Sequence, residues 1–245
     1  MSIAIIRFPG SNCEQESLDA FRHIGISATI IDWNTTQSLS DYSGFLLPGG
    51  FSYQDRIRAG IVAAKLPIMQ TLKKIADDEK KPILGICNGA QILVESGIIS
   101  TNLDIIIDTN YTENQPNTFI CDWAFLTPFN RKKCHFFRHL NDNDILPIQV
   151  CHGEGRFLFD HMPPAGLQYC SIDGHTTDTF PITPNGSLNG LAGVSNQGGN
   201  VLAIMPHPER SLHANRRPFS IQSYARKHAL NLVDWSSLFL AFKST

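Results

Sequence analysis

Two hydrophobic periods alternate along the first hundred residues. Ser2 to Phe8 is an apolar run ended by Pro9-Gly10, and Glu14 to Ile24 carries apolar residues at helical spacing. Ala28 to Trp33 is apolar again, and Gly44 to Leu47 is a further short run closed by Pro48-Gly49-Gly50. The spacing then predicts a helix over 57–78, a buried strand at Ile83, Leu84 and Ile86, and a second helix from Ala90 to Glu95 that stops at Gly97. Strands and helices in that order predict an α/β fold with a doubly wound, mostly parallel sheet flanked by helices, its sites at the carboxyl ends of the strands.

The pattern changes in the second half. Thr118 to Phe125 and Ile145 to His152 read as additional strands, antiparallel ones, and residues 177–200 are full of Pro, Gly and Asn before strand character returns at Val201 to Met205. From Ser211 the chain mixes Arg216, Arg217, Arg226 and Lys227 with an apolar helix over about 229–242, expected to dock on the sheet. There is no internal repeat. At 245 residues, 42% of them hydrophobic, the chain is read as one domain, 1–245, with 211–245 as a C-terminal helical extension.

Charge and cysteine usage narrow the function classes. A net charge of -2 and a pI near 6.5 offer no basic field for nucleic acid, which leaves a small molecule or a protein as partner. No stretch approaches the roughly 20 apolar residues of a membrane span, and the N-terminus lacks the pattern of a secretion signal, so the expected location is cytoplasmic. The six cysteines, at 13, 87, 121, 134, 151 and 170, include no C-x-x-C pair and are expected as free thiols.

Candidate chemistry sits where strand gives way to helix. In PILGICNGAQIL, Gly85, Cys87 and Gly89 alternate across the turn, the thiol form of a nucleophile elbow. Small flanking residues keep the turn free of collisions, and the N-H groups that open the helix favour negative charge on sulfur. A small buried hydrophobe is the alternative for Cys87. The second element is VLAIMPHPER: Pro208 pushes His207 out of the helical region, and extended backbone with period two would point His207 and Glu209 to one side. An imidazole held by a carboxylate is what a thiol nucleophile needs as its base, so Cys87, His207 and Glu209 form the candidate triad of nucleophile, base and orienter. The third element is LLPGGFSYQDR, whose glycines allow close backbone approach. The N-H of Asn88, with that of Gly50 or Phe51, is the candidate oxyanion donor. No phosphate-binding loop is present, so no nucleotide is placed on this chain.

HGEGRF, residues 152 to 157, offers a second imidazole and carboxylate at extended spacing, with Cys151 beside them. Three ligand types without a distant partner pair make a weak metal site, and no metal is expected. Cys13 lacks the glycine flanks of the elbow and is read as structural, and Cys121, Cys134, Cys151 and Cys170 as packing residues.

Taken together these blocks resemble the class I, triad-type glutamine amidotransferases, and within them the glutaminase subunits of phosphoribosylformylglycinamidine synthases. The resemblance rests on FPGSNC at 8–13, PGGFSYxDxxRAG at 48–60, GICNGxQILxESG at 85–97, HGEGRF at 152–157, NGS at 185–187 and GNVLAIMPHPER at 199–210. It implies a flavodoxin-like sheet and a thioester mechanism. Cys87 would attack the glutamine side-chain amide, His207 would protonate the leaving ammonia, and water would release glutamate. It also implies oxyanion donation by Gly50 and Asn88, and seating of glutamine by Gln91 and Phe51. No cofactor is implied on this chain. ATP and Mg belong to a synthetase subunit that would use the ammonia to convert formylglycinamide ribonucleotide to formylglycinamidine ribonucleotide in purine biosynthesis, and a small third subunit would bridge the two. Gln54 departs from the family pattern, which has a small residue there, and the tail is longer than expected. Competing readings are a glutaminase serving another synthetase, a stand-alone cysteine hydrolase and an inactive binding subunit.

Overall fold

Four short, nearly all-apolar strands build the part of the molecule that matters for function. The computed structural model describes residues 2–99, 105–111, 118–228, 230 and 232–243. In chain order the strands and α-helices are β1 (Ser2–Arg7), α1 (Glu14–His23), β2 (Ala28–Asp32), β3 (Tyr42–Leu47), α2 (Ile61–Ala64), α3 (Pro67–Lys74), β4 (Ile83–Ile86), α4 (Asn88–Glu95) and β5 (Ile106–Thr109). They continue as β6 (Ile120–Phe129), β7 (Leu146–His152), β8 (Glu154–Leu158), β9 (Gly166–Cys170), β10 (Leu191–Ser195), β11 (Val201–Ile204), α5 (Phe219–Lys227) and α6 (Ser236–Leu240). Among the described residues no helix is long and apolar enough to cross a membrane.

A nine-stranded mixed sheet runs in the order β2-β1-β3-β4-β11-β10-β9-β6-β7. Its first five strands are parallel, in the flavodoxin-type order that reverses direction between β1 and β3. The other four add on antiparallel, as the additional antiparallel strands expected beside the parallel part. Every residue of β4 and β11 is buried, which is why these strands read as unbroken apolar runs rather than alternating ones. α1 packs on β1 and β2, and α4 on β3, β4 and β11.

Three sequence expectations change. The single helix over 57–78 is divided: Pro67 holds Leu66 in extended backbone (φ -71, ψ 149), Gly60 turns left-handed, and the last turn at Ile75–Glu79 loosens into a π-type turn. Before it, Tyr53, Gln54, Asp55 and Ile57 all have positive φ, a run that places Gln54 in a conformation glycine adopts without cost. Second, β5, β8, β9 and β10 are not among the expected strands: glycine interrupts β8 and β10 and opens β9, and β5 is only four residues long. At Gly166 a Cβ would stand 2.3 Å from the Gly193 carbonyl oxygen, so two strands share a backbone approach that only glycine permits.

Third, the tail forms two helices rather than one. Ala229 and Asn231, at the start of the expected helix, lie outside the described residues. Leu232 instead bridges to Ile145, Arg217 donates to the Leu232 and Val233 carbonyls, and the Asp234 carboxylate takes the Ser236 N-H where α6 begins. The tail does dock: Phe239 and Phe242 meet Phe21 edge-on at 5.3 and 5.2 Å, and the buried Trp235 donates to the Pro147 carbonyl.

The packing leaves the carboxyl ends of β1, β3, β4 and β11 side by side, with Leu47 opposite Gly85 and Ile204 opposite Ile86. The loops that follow these four strands supply the site.

Candidate active site

Cys87 occupies the turn between β4 and α4 with φ 51 and ψ -108, a conformation a side chain tolerates only when its surroundings enforce it. They do so from both sides. The Cys87 N-H bonds the Ile204 carbonyl at 2.8 Å, and its own carbonyl accepts from Ala90 and Gln91 as α4 begins. The flanking glycines are sterically required: a Cβ on Gly89 would lie 2.0 Å from the Leu47 carbonyl oxygen, and one on Gly85 2.6 Å from that of Gly89. The sulfur sits 3.8 Å from the Cys151 carbonyl oxygen at the end of β7.

His207 follows β11, and its N-H bonds the Gln149 carbonyl at 2.8 Å. Nδ1 lies 2.6 Å from Glu209 Oε1, with both side chains buried. A carboxylate only accepts, so Nδ1 carries the proton and Nε2 is the nitrogen left for the thiols. The pairing arises differently from the extended spacing expected, because Pro208–Arg210 closes a 3-10 turn that brings the carboxylate to the ring. Burial works against a charged imidazole. Glu209, Cys87 and hydrogen bonds with Cys13 and Cys87 outweigh it and hold His207 well above the ordinary histidine range.

Cys13, read from sequence as structural, is therefore part of the site. It lies just before α1, within reach of His207, and Arg210 donates to its sulfur at 3.1 Å. A Cβ on Gly49 would stand 3.0 Å from Cys13 Sγ, 3.0 Å from His207 Cε1 and 3.5 Å from Cys87 Cβ, so the bare glycine is where the three side chains converge. Position after β1 was the available signal for Cys13, since β1 lies next to β3 at the switch in strand order.

The glycine loop meets the elbow through side-chain amides. The Asn88 carbonyl oxygen accepts the Ser52 N-H, and its NH2 donates to Asp55 and Gln91. Gln91 in turn donates to the Glu154 carbonyl at 2.7 Å. Of the two loop donors weighed from sequence, the Phe51 N-H is spent on the Gly10 carbonyl, whereas that of Gly50 has no acceptor among the described residues. Gly50 has φ 146, and a Cβ there would fall 2.7 Å from the Gly10 carbonyl oxygen. The Asn88 N-H is one of the orphan donors at the start of α4. A cavity of about 280 Å³ opens onto Cys87, Cys13, His207, Gly50, Phe51 and Gln91.

HGEGRF proves to be the β7–β8 corner, and its imidazole and carboxylate do not pair. His152 Nδ1 lies 3.1 Å from Asn110 Oδ1, while burial and then the charge of His207 push its pKa down to about 3, so it is neutral. Glu154, the carboxylate of HGEGRF, and Asp55, assigned no role in the site from sequence, face the same cavity. Burial and then Glu154 push Asp55 up to about 6. A carboxyl that holds its proton more tightly when folded contributes stability that is full below its ordinary value near 3.8 and is lost as the pH rises past about 6. Asp55→Asn keeps an acceptor for Asn88 and removes this titration. The variant should gain stability relative to the unaltered chain between about pH 4 and 6, by less than about 1 kcal/mol because Asp55 is half in solvent. Melting curves across that range test it, and parallel profiles would refute it.

A strained thiol at a helix start, an imidazole held by a buried carboxylate and two main-chain donors nearby can together carry acyl transfer through a thioester. The relatives of the chain agree with this chemistry. The model of the CobB/CobQ-like glutamine amidotransferase domain matches residues 1–243. Phosphoribosylformylglycinamidine synthase subunit PurQ of Methanothrix thermoacetophila is 40% identical over 235 residues, covering 89% of each chain. The Methanopyrus kandleri subunit of the same name is 36% identical over 215 residues, covering 86% of this chain and 89% of that one. In the solved structure of PurLQS from Thermotoga maritima, a chain 30% identical superposes with a TM-score of 0.77, covering 99% of this chain and 97% of that one. With fold, site geometry and near full-length similarity in accord, this chain belongs to the CobB/CobQ-like glutamine amidotransferase domain family, among the PurQ subunits of phosphoribosylformylglycinamidine synthase.

Proposed function

We propose that this chain is the glutaminase subunit of a phosphoribosylformylglycinamidine synthase, and that Cys87, His207 and Glu209 are its catalytic triad. The observation that carries the site assignment is the strained Cys87, held at a helix start and converging at Gly49 with an imidazole that Glu209 anchors at 2.6 Å.

The sulfur attacks the carbon of the glutamine side-chain amide. Negative charge developing on the amide oxygen meets the N-H groups of Asn88 and Gly50. His207, protonated by the thiol, hands its proton to the departing nitrogen, and ammonia leaves a glutamyl thioester on Cys87. Water, deprotonated by His207, then attacks the thioester and glutamate departs. Gln91 and Phe51 line the glutamine position, Gln91 with its amide already fixed by Asn88 and Glu154. No cofactor takes part on this chain. The ammonia passes to a synthetase subunit, which holds ATP and Mg and converts formylglycinamide ribonucleotide to formylglycinamidine ribonucleotide. A small third subunit bridges the two, and the assembly is cytoplasmic.

Glutamate release by the purified chain, with and without the synthetase subunit, ATP, Mg and formylglycinamide ribonucleotide, tests this. Release should rise when the full set is present; indifference to it would overturn the pathway. Within the assembled enzyme, Glu209→Gln keeps the shape of the side chain but removes the charge that stabilises the imidazolium. It should lower kcat/KM by roughly 10²- to 10⁴-fold with the complex intact. Undiminished turnover would remove Glu209 from the mechanism.

A further inference from the structure

Two of the thiols read as packing residues are neither buried nor apart. Cys134 and Cys170 are buried, and burial pushes each up to about 12, as an inert thiol requires. Cys121 is exposed, and Cys151 is only half-buried. They stand directly opposite one another on β6 and β7, so their side chains share one face of the sheet at its edge.

The ladder shows which kind of opposite pair this is. Gln149 gives its carbonyl to the His207 N-H and its N-H to Ser211 Oγ, so both its main-chain groups point away from β6. Cys151, two residues on, has the same orientation, and its carbonyl accordingly faces Cys87. Cys121 and Cys151 therefore form a non-hydrogen-bonded pair, the closer of the two antiparallel types, with Cα atoms about 4.5 Å apart. A disulfide spans Cα separations of about 4.4 to 6.8 Å, so bridging needs little backbone movement. The thiols already interact: after burial, Cys121 is the next cause that raises the Cys151 pKa. Cys121 borders an open cavity of about 640 Å³, and Cys151 borders the cavity of the active site.

We propose that Cys121 and Cys151 are a redox site at which a low-molecular-weight disulfide forms a reversible cross-strand bridge that disturbs the wall behind Cys87 and slows reaction there. The thiolate of exposed Cys121 attacks one sulfur of the small disulfide and expels a thiolate. Cys151 then loses its proton and attacks Cys121 sulfur, expelling the second thiolate. Two protein thiols are oxidised, one small disulfide becomes two thiols, and excess thiol reverses both steps. The coupling to function is geometric. β7 is the strand whose carbonyls contact Cys87 and hold the His207 main chain, so drawing Cys151 toward Cys121 acts on both.

The test exposes the full chain to oxidised glutathione, blocks remaining thiols and maps peptides without reduction. The expected product is a peptide pair joined through Cys121 and Cys151, absent in Cys121→Ser and lost with dithiothreitol. Alkylation of Cys87 by iodoacetamide, and glutamate release in the assembled enzyme, should both slow several-fold on oxidation and recover on reduction, while Cys121→Ser resists the oxidant. No joined peptide, or equal loss of Cys87 reactivity in Cys121→Ser, overturns the proposal. So does a joined peptide that leaves Cys87 reactivity unchanged. The release arm alone rests on the glutaminase reading. A reduced assembly that releases no glutamate counts against that reading and leaves the peptide and alkylation arms to decide this one.

Discussion

Cys87→Ala in the assembled enzyme should lower glutamate release by roughly 10⁴-fold or more, because no other group can form the thioester. Cys13 is the other thiol within reach of His207, and it does not substitute. It lies on the β1 side of the ring, off the helix start that supplies the Asn88 donor, and Arg210 already engages its sulfur. The substitution removes one atom from a small, nearly buried side chain and leaves the main-chain bonds of Cys87 to Ile204, Ala90 and Gln91 in place. Folding and binding to the synthetase subunit should therefore persist, as circular dichroism and co-purification would show. Appreciable release from this variant would move the nucleophile elsewhere. A variant that fails to assemble would mean that the side chain is needed for packing, the alternative a buried cysteine always carries.

Gly89→Ala separates two opposing effects by their size. Alanine is the better helix former by about 1 kcal/mol, so propensity alone makes the change stabilising in α4. The added Cβ would stand 2.0 Å from the Leu47 carbonyl oxygen and 2.6 Å from its carbon, main-chain atoms of a central strand that cannot turn aside. α4 can withdraw only by dragging Cys87, which is tied to Ile204 on the other side. Overpacking against backbone here should cost about 3 kcal/mol or more, a large share of the 5 to 15 kcal/mol that holds a typical domain folded. Urea unfolding of the variant measures it. A midpoint equal to or above that of the unaltered chain would show that β3 and α4 are not in the contact described.

Legibility differed between the two halves of the chain for a physical reason. β1, β3, β4 and β11 are covered on both faces, so their sequences are near-continuous apolar runs, three of them closed by a proline and β4 by the Cys87 turn, and each was visible. β10 falls inside the Pro-, Gly- and Asn-rich stretch 177–200, and β9 opens on Gly166, which lets it approach the Gly193 carbonyl, so neither presents an unbroken apolar run. Pro67 was plain in the sequence, but the helical period on either side of it hid the break.

The elbow glycines, the positions of Cys87, His207 and Glu209, and the glycine loop were readable because each imposes a local requirement. A turn needs a missing Cβ, and a proline dictates the backbone before it. Local chemistry alone determined that a thiol, an imidazole, a carboxylate and main-chain donors would lie at strand ends. Only the tertiary structure decided which donors were free, since the Phe51 N-H is lost to Gly10, a residue on the loop after β1. Only it brought Cys13 to His207, set Asp55 against Glu154, and placed Cys121 opposite Cys151. These are contacts between segments tens of residues apart, fixed by strand order and register, and no pattern of period two or 3.6 carries that information.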